Sequence, residues 1–125
     1  MSVSESEVHP AVVLADVVDT AHLARYTMGD EKLERELLRM FATQLDGLVT
    51  ALESARGNRD WKQAAHGLKG AARAIGAFPM AELAAAAEAA GPRRGRSMLA
   101  DIRRQAETFR DVFARWEADL LRHSA

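Results

Sequence analysis

Apolar residues return every three or four positions through several long stretches of this sequence, a period that helices satisfy and strands do not. The clearest stretch runs from Trp61 to Gly76. At about 100° per residue, Trp61, Ala64, Ala65, Leu68, Ala71, Ala72 and Ile75 fall in one arc roughly 120° wide, fit to face a core. A second stretch follows Asp30, a good N-cap, with Leu33, Leu37, Met40, Phe41, Gln44, Leu45, Leu48, Val49 and Leu52 in step. It predicts a long helix to about Arg56, stopped by Gly57, with Asn58 capping the next helix. That next helix spans about Arg59 to Ile75, and Gly76 ends it. Pro79 suits the first turn of an alanine-rich helix to Ala90, which Gly91 and Pro92 close. Arg93 to Arg96 read as a basic loop. A last helix from about Ser97 to Arg122 points Leu99, Ile102, Ala106, Phe109, Phe113, Trp116 and Leu120 inward.

Ahead of these helices, residues 1–15 read as a flexible lead-in, polar as far as Pro10. Val12, Val13, Leu14, Val17 and Val18 form an apolar arm that fits either an extended segment or a short helical turn. Asp19 or Thr20 can cap a short helix through about Tyr26, with Leu23 inward, and Met28, Gly29 and Asp30 break it. Four substantial helices joined by short links must pack as neighbours. The expected fold is all-α: an up-and-down four-helix bundle over residues 16–122, with a short additional N-terminal helix. Alanine, leucine, glutamate and arginine dominate while β-branched and aromatic residues are few, which agrees.

The bulk properties exclude several functions. A formal net charge of −1 gives no whole-protein reason to bind nucleic acid or an anionic membrane. The absence of cysteine rules out disulfides, thiolate zinc sites and cysteine nucleophiles. The N-terminus carries acids rather than a basic signal region, and no apolar run is long enough to span a bilayer, so a soluble cytoplasmic protein is expected. Arg93 to Arg96 with Arg103 and Arg104 lack interleaved aromatic residues and read as solvated cations. His9, His22 and His123 read as bystanders; Asp119 and His123, four apart, offer too few ligands for a metal site.

His66 is different. It lies roughly 120–180° from the middle of the apolar arc, so its imidazole points into water. Lys62, Lys69 and Arg73 share its outer face, with Gly70 one turn along. A solvent-facing nitrogen nucleophile among cations, beside a position with no side chain, suits the arrival of an anionic group.

His66-Gly67-Leu68-Lys69-Gly70, followed by Ile75-Gly76-Ala77, resembles the signature of histidine-containing phosphotransfer (HPt) domains. That signature reads roughly His-x-Leu-Lys-Gly, then small residues, then an apolar residue and glycine. Helix order and lengths extend the resemblance over about residues 16 to 122. It implies a phosphorelay intermediate that takes a phosphoryl group from a receiver-domain aspartate and passes it to another receiver. It further implies His66 as phosphoacceptor, Lys69 as the lysine that steadies phosphoryl oxygens, and Gly70 as the access glycine. Glu88 falls where the family often has Glu or Gln, which can accept a hydrogen bond from the second ring nitrogen. Gly67 departs from the family, which usually has Thr or Ser there. Magnesium is expected in the partner receiver only, with no cofactor or metal on this chain. Neither a phosphate-binding loop nor a nucleotide motif is present, so no autokinase activity is expected. Exposed apolar residues of the short first and long second helices are expected to extend a docking surface for the receiver.

Two rivals remain at this level. One is a helical adaptor that binds a signalling partner without phosphotransfer, against which the intact His66, Lys69 and Gly70 argue. The other is a fragment of a larger hybrid or chemotaxis-type kinase; the first Met and a self-contained helix set favour a free-standing protein, expected to be a monomer.

Overall fold

A computed structural model describes residues 13–123. The expected lead-in as far as Val12, with His9 and Pro10, lies outside the described residues. The helices are α1 (Leu14–Val17), α2 (Thr20–Thr27), α3 (Glu31–Glu53), α4 (Gly57–Ile75), α5 (Phe78–Gly95) and α6 (Leu99–His123), with a 3-10 turn (Arg96–Met98) joining the last two. Helices α3 to α6 form an up-and-down four-helix bundle. The apolar arm resolves into both of its alternatives: α1 is one helical turn, Val18 is extended, and Val17 and Val18 are buried. None of these helices is long and apolar enough to cross a membrane.

Caps and glycines set the boundaries. The Asp30 carboxylate accepts the backbone N–H groups of Lys32 and Leu33, and Asp19 accepts that of His22. Helix α3 stops at Glu53, earlier than its periodicity suggests: Ser54 still donates to the Thr50 carbonyl four residues back, but Ala55 tightens onto that of Leu52, three back. Gly57 therefore does not stop α3; it opens α4 at φ +79°, a reversal that favours glycine. Arg56 precedes it without a side-chain cap, so Asn58 is not the capping residue.

The basic loop is absent. Gly91 breaks α5 as expected, at φ 76° and ψ 174°, but Pro92 restarts the helix at once. The chain then turns through Gly95 and the 3-10 turn directly into α6, which begins at Leu99 rather than Ser97. Arg96 is not merely solvated: its guanidinium donates to the Ala55 carbonyl at 2.9 Å and lies 5.6 Å above the Trp61 ring. Trp61 is fully buried, donates its indole N–H to the Ala87 carbonyl at 2.7 Å, and packs so closely on Gly95 that a Cβ there would overlap the ring.

The core draws on all four long helices. Leu38, Phe41, Leu45, Val49 and Leu52 of α3 meet Ile102, Ala106, Phe109, Val112 and Phe113 of α6, with Phe41 and Phe109 edge to face at 5.0 Å. Leu38 and Val112 join this core although the expected stripes omit them, while Leu33, Met40 and Gln44 face out. The reason is width: α3 is apolar over more than one seam, and the part carrying Leu33, Met40 and Gln44 stays open. Arg103 also departs from expectation, tying α6 to α3 through Asp46 at 2.7 Å and Glu53 at 2.6 Å. His22 packs edge-on against Tyr26 and Phe78, with centroids 5.4 and 5.2 Å away, and holds α2 against the α4–α5 corner. There the Asp19 N–H donates to the Gly76 carbonyl at 2.8 Å.

Candidate functional site

The buried stripe of α4 decides what faces outward. Ala65 and Leu68 have no exposed surface, which turns His66, beside Gly67 between them, to solvent with its side chain 70% exposed. Helix α5 lies alongside, and its buried positions next to α4 are largely alanines, Ala81, Ala84 and Ala87. Such small side chains allow close approach, and the approach brings Glu88 to His66. The Nδ1 atom of His66 is 3.3 Å from Glu88 Oε2, while Glu88 Oε1 takes the Lys69 ammonium at 2.5 Å. One carboxylate thus bridges the imidazole and the lysine.

The Lys69 hydrogen bond is the main reason the Glu88 carboxyl is held below its ordinary value; burial opposes it, and the charges of Lys69 and His66 add to it. An ionised carboxylate only accepts hydrogen bonds. For a neutral imidazole, a carboxylate facing Nδ1 favours the tautomer with the ring proton there and the lone pair on Nε2. The site therefore offers an accessible nitrogen nucleophile whose rear proton is held by a fixed negative charge.

Lys62 and Arg73 are exposed on the same face of α4, one turn before and two turns after His66. An open depression of about 460 Å³ is lined by Arg59, Lys62, Gln63, His66 and Glu88. Arg59 and Gln63 were not singled out from the sequence, although their spacing of seven and three residues from His66 puts them on its face. Lys69 is the residue whose setting differs most from expectation. It is largely covered and already paired, not a free cation beside the imidazole.

Gly67 and Gly70 are exposed, and a Cβ on either would meet no atom within 4 Å. Each costs the helix roughly 1 kcal/mol relative to alanine. Beyond them, α2, α3 and α4 enclose an apolar groove of about 520 Å³, lined by Leu23, Tyr26, Leu33, Leu37, Met40, Phe41, Gln44, Ala71, Ala74 and Ile75. The outward-facing part of the α3 stripe ends up here. Asp119 and His123 make no metal site: the Asp119 carboxylate pairs with Arg122, and His123 Nδ1 lies 2.8 Å from the Asp119 carbonyl. No group of three or more histidines and carboxylates among the described residues could hold a metal ion.

No curated protein and no solved structure matches the chain. A protein family does: residues 36–122, more than half the chain, match the Hpt domain. The match runs from within α3 through nearly all of α6 and contains His66, Lys69 and Glu88. The helical bundle, the motif on α4 and this match converge, and the chain belongs to the Hpt domain family, whose general role is histidine phosphotransfer in phosphorelays.

Proposed function

We propose that this protein is a phosphorelay intermediate in two-component signalling, and that His66 accepts a phosphoryl group from the aspartyl phosphate of one receiver domain and passes it to, or takes it back from, another. The observation that carries the reading is the imidazole itself: Nδ1 faces an ionised carboxylate and Nε2 faces solvent amid cations.

In the forward step the Nε2 lone pair forms the P–N bond as the P–O bond to the receiver aspartate breaks. The electron pair leaves with the aspartate as a carboxylate. The ring keeps its Nδ1 proton and gains positive charge, which Glu88 offsets at 3.3 Å. Lys69 needs only to exchange a Glu88 oxygen for a phosphoryl oxygen, while Lys62 and Arg73 draw the anionic group in. Gly70 leaves room for the rim of the receiver's active site. Magnesium belongs to the receiver, and no autokinase step falls to this chain. The groove beside His66 is the docking surface for the receiver, in an interface small enough to dissociate after each transfer.

Incubation with a phosphorylated receiver tests the reading. Acid-labile, alkali-stable label is expected on the protein and none on His66→Gln. Label that persists on the variant would count against His66 as the acceptor; no label on either protein alongside stable receiver binding would favour the adaptor reading instead.

A further inference from the structure

The chain has eight glycines. Gly29, Gly57, Gly76 and Gly91 adopt positive φ, and Gly95 is pressed against Trp61. Gly47, Gly67 and Gly70 have neither reason to be glycine. All three are exposed within α3 or α4, and a Cβ on any of them would meet nothing within 4 Å. This fold would accept alanine at each position and gain helix stability by it. Gly67 and Gly70 stand one turn apart on α4, and the antiparallel run of α3 brings Gly47 toward them. Gln44 and Ala71 line the same groove from antiparallel helices. One turn further from each, toward His66, stand Gly47 and Gly67. The glycines that the fold does not need therefore gather on the α3–α4 surface beside His66, on the flank away from Glu88.

We propose that Gly67, where the family usually has Thr or Ser, and Gly47 are specificity-determining residues of the His66 site, and that they admit a matching receiver domain to contact with helix backbone that a bulky side chain would deny it. The inference rests on the phosphotransfer reading of His66. Gly70 is left aside because it corresponds to the family's access glycine. Phosphoryl transfer needs its reacting atoms within about 3–3.5 Å, and a misplacement of about 1 Å costs on the order of 100-fold in rate. A side chain that lifts the receiver from α4 therefore acts on transfer without touching His66. It also discriminates among receivers, since only one shaped to fill the gap gains from the missing side chains.

The test uses receiver domains phosphorylated with acetyl phosphate, choosing the one that transfers fastest to the wild-type protein. Transfer is then measured for Gly67→Ala, Gly67→Leu, Gly47→Ala and Gly47→Leu, with Ala118→Leu on the exposed face of α6 as a control for added bulk. Each protein is also phosphorylated with phosphoramidate, a donor too small to touch α3. Both alanine variants should keep their helicity and melt a few degrees higher than wild type. Both leucine variants should lose roughly tenfold or more in kcat/KM with the receiver, with kcat falling as the reacting atoms are held apart, and the alanine variants less. Phosphoramidate rates should stay within about twofold throughout, as should receiver transfer to Ala118→Leu. Receiver transfer within about twofold of wild type for both leucine variants would overturn the inference while leaving the phosphotransfer reading intact. An equal loss with phosphoramidate would also overturn it, because the effect would then lie in His66 itself. If the wild-type protein takes phosphate from phosphoramidate but from no receiver, the phosphotransfer reading fails and the inference falls with it.

Discussion

Glu88 has two partners for one carboxylate, and it links the exposed imidazole to the bundle. Its carboxyl is held below the ordinary value of 4.5, chiefly by Lys69. A group with a depressed folded-state value contributes stability above its unfolded value and loses it as pH falls through the folded one. Glu88→Gln should therefore be less stable than wild type at neutral pH. The gap should close as pH drops below 4.5, read by chemical denaturation at stepped pH. A gap that stays constant across that range would mean the Lys69 contact is not an ion pair. The same variant leaves the ring proton on an uncharged partner and should slow transfer from the receiver. At this scale the sequence was only half legible. The helical period alone turns His66 outward, because its neighbours in the arc are apolar. No period reveals that Lys69 is already occupied, since its partner is nineteen residues away on another helix.

The helices themselves were largely legible, and their departures share a cause. Apolar spacing marks each helix but does not choose among adjacent seams when a helix is apolar on more than one side. Helix α3 shows this: Leu38 is fully buried while Met40, two residues on, is about half exposed. Leu38→Ala should cost about 2–5 kcal/mol in unfolding free energy. Met40→Ala should stay within roughly 0.5 kcal/mol. Equal losses at the two positions would place the core seam of α3 elsewhere. The α5–α6 junction misleads for a different reason. Gly91-Pro92 is read correctly as a break, but a proline that ends one helix is also well suited to begin the next. Arg96 then finds Trp61 and Ala55, contacts that local pattern does not contain.

At the scale of the whole molecule, the bundle holds one imidazole at its surface between two unlike flanks. On one side α5 supplies the carboxylate that pairs with Lys69 of α4; on the other, α3 and α2 supply an apolar groove approached over residues without side chains. The expectation of a four-helix bundle follows from four amphipathic stretches with short links, and the structure has it. The family resemblance leads to exposed apolar residues on α2 and α3, but the groove itself was not legible in the spacing, because it exists only where the open face of α3 meets α2 and α4. The central claim is that the solvent-facing nitrogen of His66 takes the phosphoryl group while the other nitrogen keeps its proton against Glu88. Phosphorus–nitrogen coupling in NMR spectra of protein carrying ¹⁵N-labelled histidine, taken after exposure to a phosphorylated receiver, tests it most directly. The account predicts coupling of a new phosphorus signal to Nε2 of His66, with Nδ1 still protonated. Coupling to Nδ1, or to the nitrogen of any other histidine, would contradict it.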